Sequence, residues 1–180
     1  MRYVLITGAS GGIGAAIAEG FARAGYGLIL HYHKGEDRAR ALAVRLTESY
    51  SVPALPLCAD LSDTAAVQAM FERAAEEFGF IDTLVNNAGI NVGPDQRKHV
   101  DEFSDEWWDA MLKVDLDGTY NCTKAAVPYM GEGGSIVNIS SIVGMIPLRN
   151  QCAFAAAKAA VINFTKAVAM EVAPQGVRAN

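Results

Sequence analysis

The stretch Thr7–Gly14, with the sequence TGASGGIG, decides the fold of this chain. A short apolar run, Tyr3–Ile6, precedes it, and a run with apolar residues every four positions follows it. This is the order of a buried strand, a glycine-rich turn and an amphipathic helix. The first N–H groups of a helix are unpaired and carry a partial positive charge, so such a turn binds phosphate where its residues lack side chains. Gly8, Gly12 and Gly14 meet that need, and the stretch therefore predicts a nucleotide-binding site.

The rest of the chain repeats this alternation of strand and helix. Short apolar runs at 27–32, 56–59, 83–85 and 135–139 predict four more strands, and longer runs with helical spacing separate them. Strands that alternate with helices form a parallel sheet covered on both faces. We therefore predict a single α/β domain over residues 1–180, a doubly wound parallel sheet with the Rossmann fold.

The composition and charge of the chain exclude several classes of protein. Hydrophobic residues make up 51% of the sequence and charged residues 19%, which fits a globular domain. The formal net charge is −5, so we expect binding neither to nucleic acid nor to an anionic membrane surface, and no run approaches the ~20 apolar residues of a membrane span. The three cysteines are far apart, and the three histidines lack the spacing of metal ligands. We therefore expect reduced thiols, no metal site and a cytoplasmic location.

Further motifs follow the glycine turn in a fixed order. Asp60 ends the third predicted strand, and NNAG at 86–89 follows the fourth. Two serines at 140–141 end the fifth strand, and Lys158 lies in an alanine-rich helical segment. In order and spacing these motifs resemble those of the short-chain dehydrogenase/reductase family. Within it, the chain is most similar to the branch of β-ketoacyl-ACP and acetoacetyl-CoA reductases.

The resemblance implies a dinucleotide cofactor and the residues that hold it. An NAD site of this type usually has an acidic residue at the end of the second strand, which binds the ribose 2′-hydroxyl. Tyr32 stands there, followed by His33 and Lys34, and Lys34 either attracts a 2′-phosphate or is simply an exposed charge. We therefore predict NADP(H) rather than NAD(H), although Gly11 occupies a position where NADP-dependent relatives often have a basic residue. The predicted cofactor-binding residues are Gly8, Ser10, Gly12, Ile13, Gly14, Tyr32, His33, Lys34, Asp60, Leu61, Asn87, Ala88, Gly89 and Lys158.

The catalytic group that the resemblance implies is incomplete. Ser141 and Lys158 match the family's serine and lysine, but the tyrosine expected four residues before the lysine is Phe154. Phenylalanine has the ring but no proton to donate, and loss of a positioned general acid costs about 10² to 10⁴ in rate. We therefore predict an NADPH-dependent reductase of a 3-oxoacyl thioester with weak or absent activity. The alternatives are a non-catalytic NADP(H)-binding partner subunit and a slow dehydrogenase that relies on Ser141, Lys158 and water.

Two further interpretations stay open at this point. Phe154 is either a deliberate replacement of tyrosine or a natural divergence. Asp115 stands where the family has asparagine, and its carboxylate either pairs with Lys158 or is a tolerated change at a helix kink.

The last residues, 177–180, match the point where the family enters its next strand. The resemblance implies that a proline–glycine turn and a helical lid would follow, so we expect a domain incomplete at its C-terminus, with the C-terminal strand and the substrate lid absent. The two long predicted helices, 104–130 and 153–172, carry apolar residues on more than one face. Because these helices form the dimer contact in relatives, we expect a homo-oligomer, either a dimer or a tetramer.

Overall fold

A computed structural model describes residues 1–180 as one six-stranded sheet with helices on both faces. All strand pairs are parallel, and the strand order is β3-β2-β1-β4-β5-β6. This arrangement confirms the predicted doubly wound sheet. The strands are β1 Tyr3–Ile6, β2 Gly27–Tyr32, β3 Ala54–Cys58, β4 Thr83–Asn86, β5 Ser135–Asn138 and β6 Arg178–Ala179. The helices are α1 Gly12–Arg23, α2 Glu36–Tyr50, α3 Thr64–Phe78, α4 Asp105–Met111, α5 Gly118–Ala126 and α6 Cys152–Val172.

The sheet separates two hydrophobic cores. Because successive side chains of a strand point to opposite faces, Leu5 packs into one core while Val4 and Ile6 pack into the other. All three side chains are fully buried. The strand order reverses beside β1, between β1 and β4, which opens a crevice at the carboxyl ends of the strands. The burial of β1 on both faces therefore fixes the turn that follows it at the mouth of this crevice.

The long helix predicted over 104–130 is interrupted. Ser104 caps its start, where the hydroxyl accepts a hydrogen bond from the N–H of Trp107. After α4 the chain widens into a π-helical segment, Leu112–Asp117, before α5 continues the same run. Segments of this kind are rare and are frequent at functional sites. Here the segment turns the side chain of Asp115 inward, where it is fully buried.

The C-terminal part of the chain differs from the sequence prediction in two respects. Arg178–Ala179 forms a short sixth strand beside β5, although the C-terminal strand was expected to be absent. The helical run Cys152–Gln175 is long and apolar enough to cross a membrane by length and composition alone, which the sequence analysis did not recognise. In this fold α6 packs against β5, β6 and the π-helical segment. A core helix passes the same test of length and composition, so one such helix is weak evidence for a membrane span.

Candidate functional site

A cleft of about 520 Å³ lies at the carboxyl ends of the central strands, in the crevice where the strand order reverses. Most of the residues predicted to bind the cofactor line it, whereas Tyr32 does not. Lys158 lies under its floor, close to Gly89. The predicted residues that line the cleft are Gly8, Ser10, Gly12, Ile13, Gly14, His33, Lys34, Asp60, Leu61, Asn87, Ala88 and Gly89.

The glycine turn forms one wall of the cleft and is tied to the loop after β4. Gly8 has a φ of +66°, a backbone conformation that residues with side chains rarely adopt. A Cβ on Gly14 would lie 2.9 Å from both the Cα of Ala9 and the side-chain amide of Asn87, so a residue with a side chain does not fit. The hydroxyl of Thr7 accepts hydrogen bonds from the N–H groups of Asn87 and the next residue, each at 2.9 Å. No side chain caps α1, so the N–H groups at its start are available to a ligand.

His31 joins the glycine turn to the end of β3, a role that the sequence analysis missed. The Gly8 N–H donates to Nδ1 of His31 at 3.0 Å. The ring proton is therefore on Nε2, which donates to the Ala59 carbonyl, also at 3.0 Å. The side chain is 2% exposed, and burial lowers the pKa of His31 to about 4. A neutral imidazole therefore bridges two walls of the cleft. The sequence did contain a signal for this role, because His31 is a polar residue in the apolar strand β2, next to the glycine turn.

The residues after β2 form a basic corner of the cleft, but Tyr32 is not part of it. Its side chain is buried, so the prediction that it contacts the cofactor receives no support from the geometry. Arg38, which the sequence analysis missed, lines the cleft together with His33 and Lys34. A Cβ on Gly35 would lie 2.6 Å from the Ser10 hydroxyl and 3.2 Å from an Arg38 guanidinium nitrogen. The absence of a side chain at position 35 therefore allows the arginine to reach the glycine turn.

Asp60 provides a single ionised carboxylate beside this corner. Its Oδ1 accepts hydrogen bonds from the hydroxyl and the N–H of Ser62, at 2.7 and 2.9 Å. These bonds, first the one from the hydroxyl, lower the pKa of the carboxyl. Oδ2 lies 3.9 Å from Nε2 of His33. Asp60 is therefore a hydrogen-bond acceptor at the cleft surface.

Asp115 and Lys158 form a buried ion pair under the floor of the cleft. Oδ2 of the aspartate lies 3.1 Å from the lysine Nζ, and the side chains are 0% and 8% exposed. Burial raises the pKa of Asp115, whereas the lysine charge and the Ile90 N–H oppose that rise. A Cβ on Gly89 would lie 3.0 Å from the carboxylate and 3.2 Å from Nζ, so only a glycine leaves the pair close to the cleft. Of the two interpretations left open for Asp115, the structure has the carboxylate paired with Lys158.

Phe154 lies next to this pair, and Ser141 begins a turn that packs on the same helix. The Lys158 Nζ is 5.7 Å from the centre of the Phe154 ring, which packs against a small apolar cluster that contains Val92 and Met111. The Ser141 hydroxyl accepts a hydrogen bond from the Val143 N–H at 3.2 Å and begins a 3₁₀ turn. This turn packs directly on the main chain of α6 at Lys158. The turn that begins at Ser141 and the helix that carries Phe154 and Lys158 are therefore adjacent elements, and the ring at position 154 carries no hydroxyl.

Comparison with known proteins places the whole chain in one family. The family model described as short chain dehydrogenase matches residues 2–180. A 3-oxoacyl-[acyl-carrier-protein] reductase of Staphylococcus aureus is 34% identical over 181 residues, which cover 99% of this chain and 72% of the relative. A trans-4-hydroxycyclohexanecarboxylate dehydrogenase of Sinomonas cyclohexanicum is 37% identical over 185 residues, covering 99% of this chain and 70% of the relative.

Solved structures give the same result. A short chain dehydrogenase from Burkholderia cenocepacia, crystallised in complex with NADP, has a TM-score of 0.92 and 36% identity. The match covers 99% of this chain and 71% of that protein. A dehydrogenase/reductase from Sinorhizobium meliloti has a TM-score of 0.93 and 29% identity, with 99% and 69% of the two chains covered. The family model, the sequence relatives and the folds agree, and the chain belongs to the short-chain dehydrogenase family of oxidoreductases.

Proposed function

We propose that this chain binds NADP(H) in the cleft and is built as a reductase of 3-oxoacyl thioesters, with weak or absent turnover because Phe154 replaces the proton donor. The observation that carries the proposal is the cleft itself. Its glycine turn excludes a Cβ at Gly14, and its far corner gathers basic side chains. The relative crystallised with NADP shares this fold at 36% identity.

The choice of NADP(H) over NAD(H) rests on charge around the end of β2. Lys34 and Arg38 line the cleft there, and the buried Tyr32 stands where an NAD site usually has an acid. A guanidinium binds phosphate with paired, charge-assisted hydrogen bonds. Two cations near the glycine turn therefore favour a 2′-phosphate over a 2′-hydroxyl.

The catalytic roles follow from the groups under and beside the cleft. When bound, the dinucleotide would supply a hydride to a carbonyl carbon. The Ser141 hydroxyl is suited to donate a hydrogen bond to the carbonyl oxygen, and the Lys158 ammonium to hold the cofactor ribose. Phe154 offers no proton to the alkoxide that results. A loss of 10² to 10⁴ in rate corresponds to roughly 3 to 5 kcal/mol of barrier.

The substrate class is proposed from the relatives and from an apolar segment beside Ser141. The relatives are named for a 3-oxoacyl group, a hydroxycyclohexanecarboxylate and a 3β-hydroxysteroid, all of which are oxo or hydroxy compounds. Between Ser141 and α6, four large apolar side chains are 54–66% exposed, a surface suited to an acyl chain. They are Ile142, Met145, Ile146 and Leu148. A 3-oxoacyl thioester, as used in fatty acid biosynthesis, fits this combination.

We also propose that the chain is a cytoplasmic homo-oligomer, a dimer or a tetramer. Trp107 and Trp108 of α4 are 40% and 38% exposed, Tyr120 of α5 is 47% exposed and Met170 of α6 is 74% exposed. Large apolar side chains on neighbouring helices mark a surface for association. Sedimentation velocity of the purified protein gives the oligomeric state, and a monomer at micromolar concentration contradicts this part of the proposal.

The test of the proposed function measures binding and turnover separately. NADPH and NADH are titrated into the protein, and reduction of acetoacetyl-CoA is followed for the wild type and for Phe154→Tyr. We expect tighter binding of NADPH than of NADH, little turnover by the wild type, and a rate increase with tyrosine. If tyrosine restores nothing although NADPH binds, the chain is a non-catalytic NADP(H)-binding subunit instead. If neither dinucleotide binds, the proposal fails.

A further inference from the structure

The ion pair under the cleft is held from both sides. Oδ2 of Asp115 lies 3.1 Å from Nζ of Lys158, while Oδ1 accepts the Ile90 N–H at 2.7 Å. The lysine Nζ also donates to the Ile139 carbonyl at 3.1 Å. Each charged group therefore has a main-chain partner in addition to the other, and these partners fix the relative position of carboxylate and ammonium.

This geometry distinguishes a carboxylate from an amide at position 115. The Ile90 N–H requires an acceptor, so an asparagine would keep its oxygen toward Ile90 and turn its NH₂ group toward Lys158. Two donors would then face each other at the present distance of 3.1 Å. The buried ammonium would keep only the Ile139 carbonyl, which does not compensate its charge. Only an acid at position 115 gives Lys158 a counter-charge.

The charge of Lys158 acts on the neighbouring position 154. Both residues lie on α6, one helical turn apart, and Nζ is 5.7 Å from the Phe154 ring centre. An opposite charge at 4–6 Å shifts the pKa of an ionisable group by about 1 to 3 units. A carboxylate beside the ammonium cancels most of this effect, since the pair has no net charge. Lys158 is the charged group that lies over the ring at position 154, and Asp115 of the π-helical segment is the carboxylate paired with it.

We propose that Asp115 is a positioning residue that acts through Lys158: it neutralises the ammonium and fixes its direction, so that positions 115 and 154 are functionally coupled. A hydroxyl placed on the ring at 154 becomes a stronger proton donor when the carboxylate at 115 is removed. The consequence for turnover rests on the proposed reductase function. In that reaction the carbonyl carbon would gain the hydride that a bound reduced nicotinamide supplies. The phenol would give its proton to the alkoxide oxygen and would be left as phenolate beside Lys158.

The coupling is tested by titrating the phenol at position 154 directly. Tyrosinate absorbance is measured against pH for four proteins: the wild type, Asp115→Asn, Phe154→Tyr and the double variant. Subtracting each protein with Phe154 from its tyrosine counterpart cancels the six native tyrosines. We expect the midpoint of the new phenol to lie about 1 to 2 pH units lower with asparagine at 115 than with aspartate. Midpoints equal within about 0.3 units, or a lower midpoint with aspartate, overturn the inference.

Two additions keep the outcome clear. Asp115→Ser removes the carboxylate without presenting an amide to the lysine. It replaces Asp115→Asn if that variant folds poorly, and we expect it to lower the midpoint of the phenol by the same amount. Acetoacetyl-CoA reduction by the same set separates the inference from the proposed function. If the midpoints differ but no variant reduces the thioester, the coupling stands and the reductase proposal fails. If both tyrosine variants reduce it equally fast with equal midpoints, the reductase proposal stands and the coupling fails.

Discussion

His31 makes the stability of this domain depend on pH in a defined window. Burial lowers the pKa of His31 from the ordinary 6.5 to about 4. Protonation would also place an Nδ1–H against the Gly8 N–H. The unfolded chain therefore binds one more proton than the folded chain between these two pH values. The contribution of His31 is complete above pH 6.5 and is lost as the pH falls toward about 4. One pKa unit corresponds to about 1.4 kcal/mol, so the loss amounts to roughly 3 kcal/mol.

The assay is urea denaturation at a series of pH values across this window. We expect the wild type to lose about 3 kcal/mol more than His31→Gln on acidification, because glutamine keeps a donor for the Ala59 carbonyl but does not titrate. His33→Gln is the matched control, since His33 lies two residues away and its side chain is 51% exposed. Equal pH dependence in the wild type and His31→Gln, or loss of the dependence in His33→Gln alone, refutes the reasoning.

Three further predictions concern the cleft and the ion pair. Gly14→Ala is expected to weaken NADPH binding at least ~10-fold in a fluorescence titration, because the new Cβ would overlap the Gly8 carbonyl and lie 2.9 Å from Ala9 Cα. Gly20→Ala is the control, because a Cβ at that position meets nothing within 4 Å. Arg38→Ala is expected to weaken NADPH binding by about 10- to 100-fold with little change for NADH, since a lost charge-assisted bond costs ~1.5–3 kcal/mol. The control Arg40→Ala removes an exposed pair with Glu36 and is expected to change the binding of neither dinucleotide. Equal losses for both dinucleotides in Arg38→Ala contradict the assignment of Arg38 to the 2′-phosphate. Lys158→Met is expected to lower the free energy of unfolding by about 3 to 5 kcal/mol at neutral pH, because it leaves the buried Asp115 carboxylate without a counter-charge. This loss shrinks at acid pH as the carboxyl takes up a proton. Lys166→Met, at an exposed position on the same helix, is the control in the same denaturation experiment.

The sheet and the glycine turn could be predicted from sequence because their signals are local. A buried strand needs a short apolar run, and a phosphate turn needs glycine where the backbone is crowded, so Gly8 and Gly14 were identified from their neighbours alone. The order of strand-end motifs then placed Asp60 and Asn87 at the same edge of the sheet, and both line the cleft.

The residues that sequence analysis missed depend on contacts between distant segments. His31 bridges Gly8 and Ala59, 23 and 28 residues away, and only the folded sheet brings them together. Arg38 reaches the cleft because Gly35 has no side chain, whereas Tyr32 is buried although it ends the strand where an NAD site has its acid. The strand's alternation predicts two faces but not which face borders the cleft.

The central prediction is that this chain binds the cofactor but has weak or absent turnover, and one single-turnover experiment tests it most directly. The protein is loaded with NADPH until binding is saturated, acetoacetyl-CoA is added, and the disappearance of NADPH is compared between the wild type and Phe154→Tyr. The account predicts saturable binding by both proteins and oxidation at least ~10²-fold slower in the wild type. Wild-type oxidation as fast as that of Phe154→Tyr would contradict it.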